Sequence, residues 1–61
     1  MEVIKYITIE KKHKCDYYIK IERMGHEIFR RRFMGYTKKE AERKARQESG
    51  TTGEHLTRIE F

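Results

Sequence analysis

Apolar and polar residues alternate in three short runs over the first half of the chain. The strands that these runs predict are residues 2–11, 17–23 and 27–33. The second run shows the period most clearly, because Tyr17, Ile19 and Ile21 fall on one side of it. The first run is rich in β-branched and aromatic residues, and the polar segment 11–16 follows it as a turn. The pattern predicts three consecutive strands of one antiparallel sheet.

The connection between the second and third predicted strands contains Met24 and Gly25. A two-residue type I′ turn needs positive φ at both central positions, which suits methionine poorly. We therefore expect a three-residue loop over residues 24–26 with Gly25 in the left-handed region. This loop would place Arg23 opposite Glu27.

The same register decides which side of the hairpin is apolar. It places Ile21 opposite Phe29 and Tyr17 opposite Phe33, with Arg31 at the rim of that face. A register slip of one residue would exchange the two faces, so we choose the register that keeps the phenylalanines inside. The opposite face would then carry Tyr18, Lys20, Ile28, Arg30 and Arg32.

A helix start follows the third strand. Thr37 and Glu40 have the spacing of a capping box, in which each side chain pairs with the other residue's backbone N–H. Gly50 is a natural helix end. Ala41 and Ala45 form a narrow apolar stripe, which predicts a thinly covered core and a second chain that completes it.

Residues 50–53, GTTG, predict a loop, and the alternating segment 54–61 predicts a last strand. The predicted fold is α+β with the order β-β-β-α-β: a small, mostly antiparallel sheet with one helix packed on one face. A strand that follows such a helix is expected to run parallel to a neighbour through a right-handed crossover. The 61 residues make a single domain, 1–61.

Charge narrows the classes of partner. The formal net charge is +5, and charged residues make up 41% of the chain. The excess is regional, because residues 28–39 hold five basic residues and no acid. Such a field favours nucleic acid, acidic proteins or anionic lipid surfaces.

Several other functions lack a sequence signal. Cys15 is the single cysteine, which excludes an internal disulfide and favours a reducing cytosol. No apolar run has the length of a membrane span, and the N-terminus lacks the pattern of a signal peptide, so we expect a cytoplasmic protein without a membrane partner. His13 and Cys15 would need further ligands, and the other histidines, His26 and His55, lie in separate segments. We expect no metal, no cofactor and no catalytic site.

The candidate site is therefore a basic surface. Its predicted nucleic-acid-binding residues are Tyr18, Lys20, Arg30 and Arg32 on one sheet face and Lys12 and Lys14 at the preceding turn. Basic side chains displace counterions from phosphates, and a two-stranded ribbon fits the major groove. The alternative is a solvated strand face, which lysine and arginine also suit. The protein would then be an interaction module that binds a second copy of itself or an acidic protein.

Residues 33–48, FMGYTKKEAERKARQE, follow a basic hairpin and open a helix with Gly35, Tyr36, Thr37, Lys38, Lys39, Glu40 and Ala41. Over residues 17–48 the chain resembles the arm-type DNA-binding domain of tyrosine integrases. The resemblance implies a three-stranded sheet with one helix, and a sheet face that enters the major groove of DNA. It would put Tyr18, Lys20, Arg30 and Arg32 at the DNA. The strand predicted at 54–61 is an addition to that pattern. Short basic proteins of microbes and their phages commonly have such a composition.

Overall fold

A computed structural model describes residues 4–61 and confirms the α+β class and the order β-β-β-α-β. Residues 2 and 3, which the sequence assigns to the first strand, lie outside the described part. The elements are β1 (Lys5–His13), β2 (Asp16–Arg23), β3 (His26–Met34), α1 (Lys38–Ser49) and β4 (Thr57–Glu60).

The four strands form one mixed sheet in the order β3-β2-β1-β4. Strands β1, β2 and β3 pair antiparallel, whereas β4 pairs parallel to β1, as expected of a strand that follows a crossover helix. Helix α1 packs on β2 and β3 and carries the chain from one edge of the sheet to the other. At 12 residues α1 is short, and residues 4–61 contain no helix that is long and apolar enough to cross a membrane.

The turn between β2 and β3 differs from the prediction. Arg23 pairs with His26, so Met24 and Gly25 alone form the turn, and their φ angles are 53° and 80°. The predicted three-residue loop and the pairing of Arg23 with Glu27 are therefore wrong. The Met24 N–H donates to the Ile4 carbonyl at 2.8 Å, and this contact with β1's end helps to hold methionine at a positive φ.

A β-bulge restores the register that the shorter turn would have shifted. Glu22 pairs with Glu27 and Ile21 pairs with Phe29, which leaves Ile28 as an extra residue on β3. Beyond the bulge the predicted pairs are found: Ile21 with Phe29, and Tyr17 with Phe33.

Both predicted ends of the helix are confirmed. The Thr37 hydroxyl accepts from the Glu40 N–H at 3.3 Å, and the Glu40 carboxylate accepts from the Thr37 N–H at 3.4 Å. These two bonds satisfy donors that the first helical turn would otherwise leave unpaired. At the other end Gly50 has a φ of 74°, and its N–H donates to the Gln47 carbonyl at 3.2 Å.

One chain completes its own core. The core consists of Ile7, Ile9, Ile19, Ile21, Phe33, Ala41, Ala45 and Leu56. Both alanines are fully buried, because their small side chains let the helix backbone lie close to the sheet. Tyr17, Phe29 and Tyr36 pack around this cluster. The incomplete cover that the sequence predicts is found at Phe29, which stays half-buried, but not at Ile19, Ile21 and Phe33, which one chain buries.

Strand β4 begins at Thr57, later than the predicted position 54. The residues before it have other contacts: Leu56 lies in the core, and the Glu54 carboxylate accepts from Lys5 and Arg23. The Glu54 carbonyl also accepts from Arg46 at 2.8 Å. These contacts attach the segment to the helix and to two strands, so it does not extend the sheet.

Candidate nucleic-acid interface

The register places the four predicted face residues together. Tyr18 is the cross-strand partner of Arg32, and Lys20 is the partner of Arg30. Direct partners point to the same side of a sheet. Their neighbours along the strands, such as Ile19 and Phe33, lie in the core beneath the helix. The four residues therefore lie on the side that the helix does not cover, which we call the open face.

The two lysines predicted at the turn occupy different positions. Lys14 lies in the exposed turn formed with Cys15, whose φ is 56°. Lys12 lies at an irregularity near the end of β1, and its ammonium is 2.9 Å from the Glu10 carboxylate. Strand β1 thus runs further toward the tip than the predicted turn over 11–16 allowed.

Each strand cation of the candidate set has a carboxylate beside it. The pairs are Lys12–Glu10 at 2.9 Å, Lys20–Glu22 at 3.4 Å, Arg30–Glu27 at 3.7 Å and Arg32–Asp16 at 2.5 Å. Four formal positive charges and four negative ones cancel (4 − 4 = 0). The basic residues therefore do not form a continuous positive surface. Simple alternation would put Glu27 on the sheet face that the helix covers, but the bulge at Ile28 brings it to the open face beside Arg30.

These ion pairs differ in strength. Arg30 and Glu27 are exposed, and surface pairs of this kind contribute only about 0–1 kcal/mol. Arg32 instead binds Asp16 with two hydrogen bonds, from Nε at 2.9 Å and from a terminal nitrogen at 2.5 Å. Asp16 is buried, with 5% of its surface exposed. Arg32 is therefore held at the end of β3, whereas Arg30 can exchange its partner for a ligand.

The Arg32 contact also changes the acidity of Asp16. The hydrogen bond from Arg32 lowers the pKa of Asp16 below its ordinary value, and the charge of Arg32 adds to this effect. Desolvation of the carboxylate opposes the shift but is smaller. The pair therefore favours the ionised carboxylate in the folded protein.

Protonation of Asp16 should destabilise the fold in acid. A carboxylate with a lowered folded-state pKa stabilises the fold above its unfolded pKa, and this contribution is lost as the pH falls through the folded pKa. We expect the melting temperature of the wild type to fall from about pH 5 to about pH 2, and that of Asp16→Asn to fall less. Glu54 and Glu60, whose pKa values are lowered by Lys5 and Lys38, keep part of the dependence in the variant.

Thermal melts followed by circular dichroism across this pH range test the prediction. Glu10→Gln is the control, since it removes a more exposed carboxylate from the same face. An Asp16→Asn variant as acid-sensitive as the wild type would show that the buried pair contributes nothing to the dependence.

The structure also places Arg31 and three apolar residues that lie near the sheet edges. Arg31 lies on the sheet face that the helix covers, paired with Glu48, and its guanidinium is 5.3 Å from the centre of the Phe33 ring. This confirms its predicted place at the rim of the covered face. Phe33 is buried and Ile59 half-buried, whereas Phe61 is 77% exposed.

Sequence reasoning missed a second group of cations. In the described part of the chain, Lys11, Lys39, Arg43 and Lys44 are exposed and have no acidic side chain within ion-pair distance. The sequence does contain one signal for this group. Lys39 and Arg43 are four residues apart and lie on the face of the helix opposite Ala41 and Ala45. Nothing in the sequence relates Lys11 to them.

Residues 4–61 hold no group of three or more histidine, cysteine, aspartate or glutamate side chains arranged to bind a metal ion. His13 and Cys15 lie near the same hairpin tip without further ligands from the described residues. Comparison of the chain with protein-family models, with curated proteins and with solved structures finds no match.

Proposed function

We propose that this protein is a small cytoplasmic nucleic-acid-binding module without catalytic activity, with DNA rather than RNA as its ligand. One observation carries the proposal: Lys20 and Arg30, and beside them Tyr18 and Arg32, are direct cross-strand neighbours on the open face. A twisted pair of strands with such side chains has the size and chemistry to enter the major groove.

The carboxylates of the open face shape this binding without preventing it. The Arg30–Glu27 pair is exposed and the Lys20–Glu22 pair half-buried, and solvent-accessible ion pairs contribute little, so a phosphate can replace either glutamate at small cost. Each replacement also releases a counterion from the nucleic acid, which favours binding at low salt. Arg32 keeps its bond to Asp16 and would orient the face, while Tyr18 offers an aromatic ring to sugar or base.

Two adjacent arginines of β3 provide the test. Arg30→Gln removes a charge from the open face, whereas Arg31→Gln removes the same charge from the rim of the sheet face that the helix covers. We expect wild type to bind duplex DNA with a steep salt dependence. Arg30→Gln should flatten the log–log slope by about 0.9, the value for one phosphate contact, while Arg31→Gln should leave it unchanged. Fluorescence anisotropy with labelled duplexes, from about 50 mM to about 200 mM salt, measures both slopes.

The same experiment can reject the proposal. Equal slopes for Arg30→Gln and the wild type would mean that the open face does not contact phosphates. An absence of binding to both duplex and single strands at low salt would leave the alternative, an interaction module with a solvated basic face. In that case Arg30, Arg31 and Arg32 would serve the edge strand β3, where charge discourages pairing with other chains.

A further inference from the structure

The cations without an acidic partner among the described residues lie outside the group formed by Lys20, Arg30 and Arg32 on the open face. The chain has 15 basic and 10 acidic residues. Ten basic residues form ion pairs in the described structure, which leaves 15 − 10 = 5 without a partner there. These five are Lys11, Lys14, Lys39, Arg43 and Lys44. None of the five lies within ion-pair distance of an acidic side chain of residues 4–61, although Glu40 lines the same cavity as Arg43 and Lys44.

Four of these cations share one side of the molecule. Lys39 and Arg43 project away from the sheet, because they lie opposite Ala41 and Ala45, which face it. Lys44 lies on the same helix, with its ammonium 5.3 Å from the centre of the Tyr36 ring. Lys39, Arg43 and Lys44 lie on the outer and flanking surface of the helix, and Lys11 lies on the sheet beside it; we call these four residues together the helix side.

Lys11 connects this surface to the sheet. It lies two residues after the buried Ile9 on β1 and therefore points to the same face of the sheet. Together with Lys38, at the start of the helix, it lines a cavity of about 300 Å³. The same cavity contains Glu60, which is paired with Lys38 at 2.7 Å. Lys11 is therefore the charged residue of this cavity without an ion-pair partner among the described residues.

The helix side and the open face lie on opposite sides of the sheet. Tyr18 and Lys20 lie on the open face of the sheet. The helix packs on the opposite face, and Arg43 lies on the side of the helix that points away from the sheet. A straight duplex can lie against only one side of this helix-on-sheet arrangement at a time. Nucleic acid bound at both surfaces must therefore belong to two segments.

We propose that the helix side is a second nucleic-acid-binding surface, which binds the phosphate backbone, so that one module holds two nucleic-acid segments. This inference rests on the proposed function, which places the first segment on the open face. Long, flexible lysine side chains on a convex helix suit phosphates rather than base edges, so binding at this surface is independent of base sequence.

Two double variants with equal charge test the second surface. Lys39→Gln with Arg43→Gln changes the helix side, and Lys20→Gln with Arg30→Gln changes the open face. Each leaves a net charge of 13 − 10 = +3, so the overall field of the protein is the same in both. Glutamine resembles lysine and arginine in helix propensity, and circular dichroism checks that each variant is folded. Lys11→Gln with Arg43→Gln replaces the first variant if that one fails to fold.

The first measurement is the salt dependence of binding to a labelled duplex. A labelled duplex reports the surface that binds it more tightly, so the double variant of that surface should flatten the log–log slope by about 1.8, which corresponds to two phosphate contacts. The second measurement is energy transfer between two duplexes that carry a donor and an acceptor. Wild type should bring them together at low salt, and both double variants should lose the transfer. Transfer kept by the Lys39/Arg43 variant would indicate two protein copies joined to each other instead.

The outcomes separate this inference from the proposed function. A Lys39/Arg43 variant that bridges two duplexes like the wild type overturns the second surface and leaves the open face in place. Wild type that binds one duplex but never bridges two overturns it as well. If only the Lys39/Arg43 variant loses binding, the nucleic-acid contact lies on the helix side. The open face then does not bind nucleic acid, and the bridging of two duplexes is excluded as well. Wild type that binds no nucleic acid overturns both proposals.

Discussion

Replacement of Phe33 by alanine is expected to lower the free energy of unfolding by about 3–5 kcal/mol, the usual cost of emptying a buried aromatic site. Phe33 is 2% exposed and is the largest side chain in the core. Its ring stacks on Phe29 with centroids 6.4 Å apart and meets Tyr36 edge-on at 5.9 Å. A domain of this size has little stability in reserve, so the variant should be largely unfolded at room temperature.

Phe29→Ala is the matched control for this experiment. Phe29 has the same side chain, strand and face as Phe33 but is only partly buried at the rim of the core. Its removal should cost clearly less, because the vacated space opens to solvent and part of the ring was already hydrated. Chemical denaturation followed by circular dichroism compares the two. Equal losses would contradict the placement of Phe33 at the centre of the helix–sheet contact.

Enlargement of Ala45 is expected to be the second most damaging change. Ala45 is fully buried where α1 faces the sheet, and Ile19 and Ile21 in the same core are also fully buried. A leucine there must push the helix away from the sheet or adopt a strained rotamer, at a cost of about 1–3 kcal/mol. Leucine is a good helix former, so the loss cannot come from helix propensity.

Gln47→Leu is the control for Ala45→Leu. Gln47 lies on the same helix and is exposed, so the added leucine has room. We expect a nearly unchanged midpoint for Gln47→Leu and a clearly lower one for Ala45→Leu in the same denaturation series. A stabilised Ala45→Leu variant would mean that the helix lies further from the sheet and leaves space above Ile19 and Ile21.

Three consecutive arginines of β3 have three different environments. Arg30 lies on the open face in a weak, exposed pair with Glu27. Arg31 lies against Phe33 and Glu48 on the sheet face that the helix covers. Arg32 is bound at two points by Asp16. Of the three, Arg30 is best able to exchange its partner for a phosphate, which is why the binding test depends on it.

The amino-acid sequence alone determined the elements and much of the register. Alternation with a period of two identified the three consecutive strands, and burial of one face chose the pairs of Ile21 with Phe29 and Tyr17 with Phe33. Thr37 with Glu40, and Gly50, set the ends of the helix. These features depend on residues a few positions apart, so local spacing is enough to predict them. The placement of Tyr18, Lys20, Arg30 and Arg32 on one face followed from the same alternation.

Only the tertiary structure decided the turn, the bulge and the charge balance of the candidate site. Met24 has a positive φ in a turn that contacts Ile4, and the bulge at Ile28 brings Glu27 to the open face. Asp16 reaches Arg32 across 16 positions, and Glu54 reaches Lys5 across 49. Such partners depend on which strands become neighbours and on how the chain closes between them. Local periodicity identified the pairing of β2 with β3 but neither the bulge at Ile28 nor the contacts of the segment after the helix, so the sequence located the basic residues but not the carboxylates of Glu27 and Glu54 that pair with three of them.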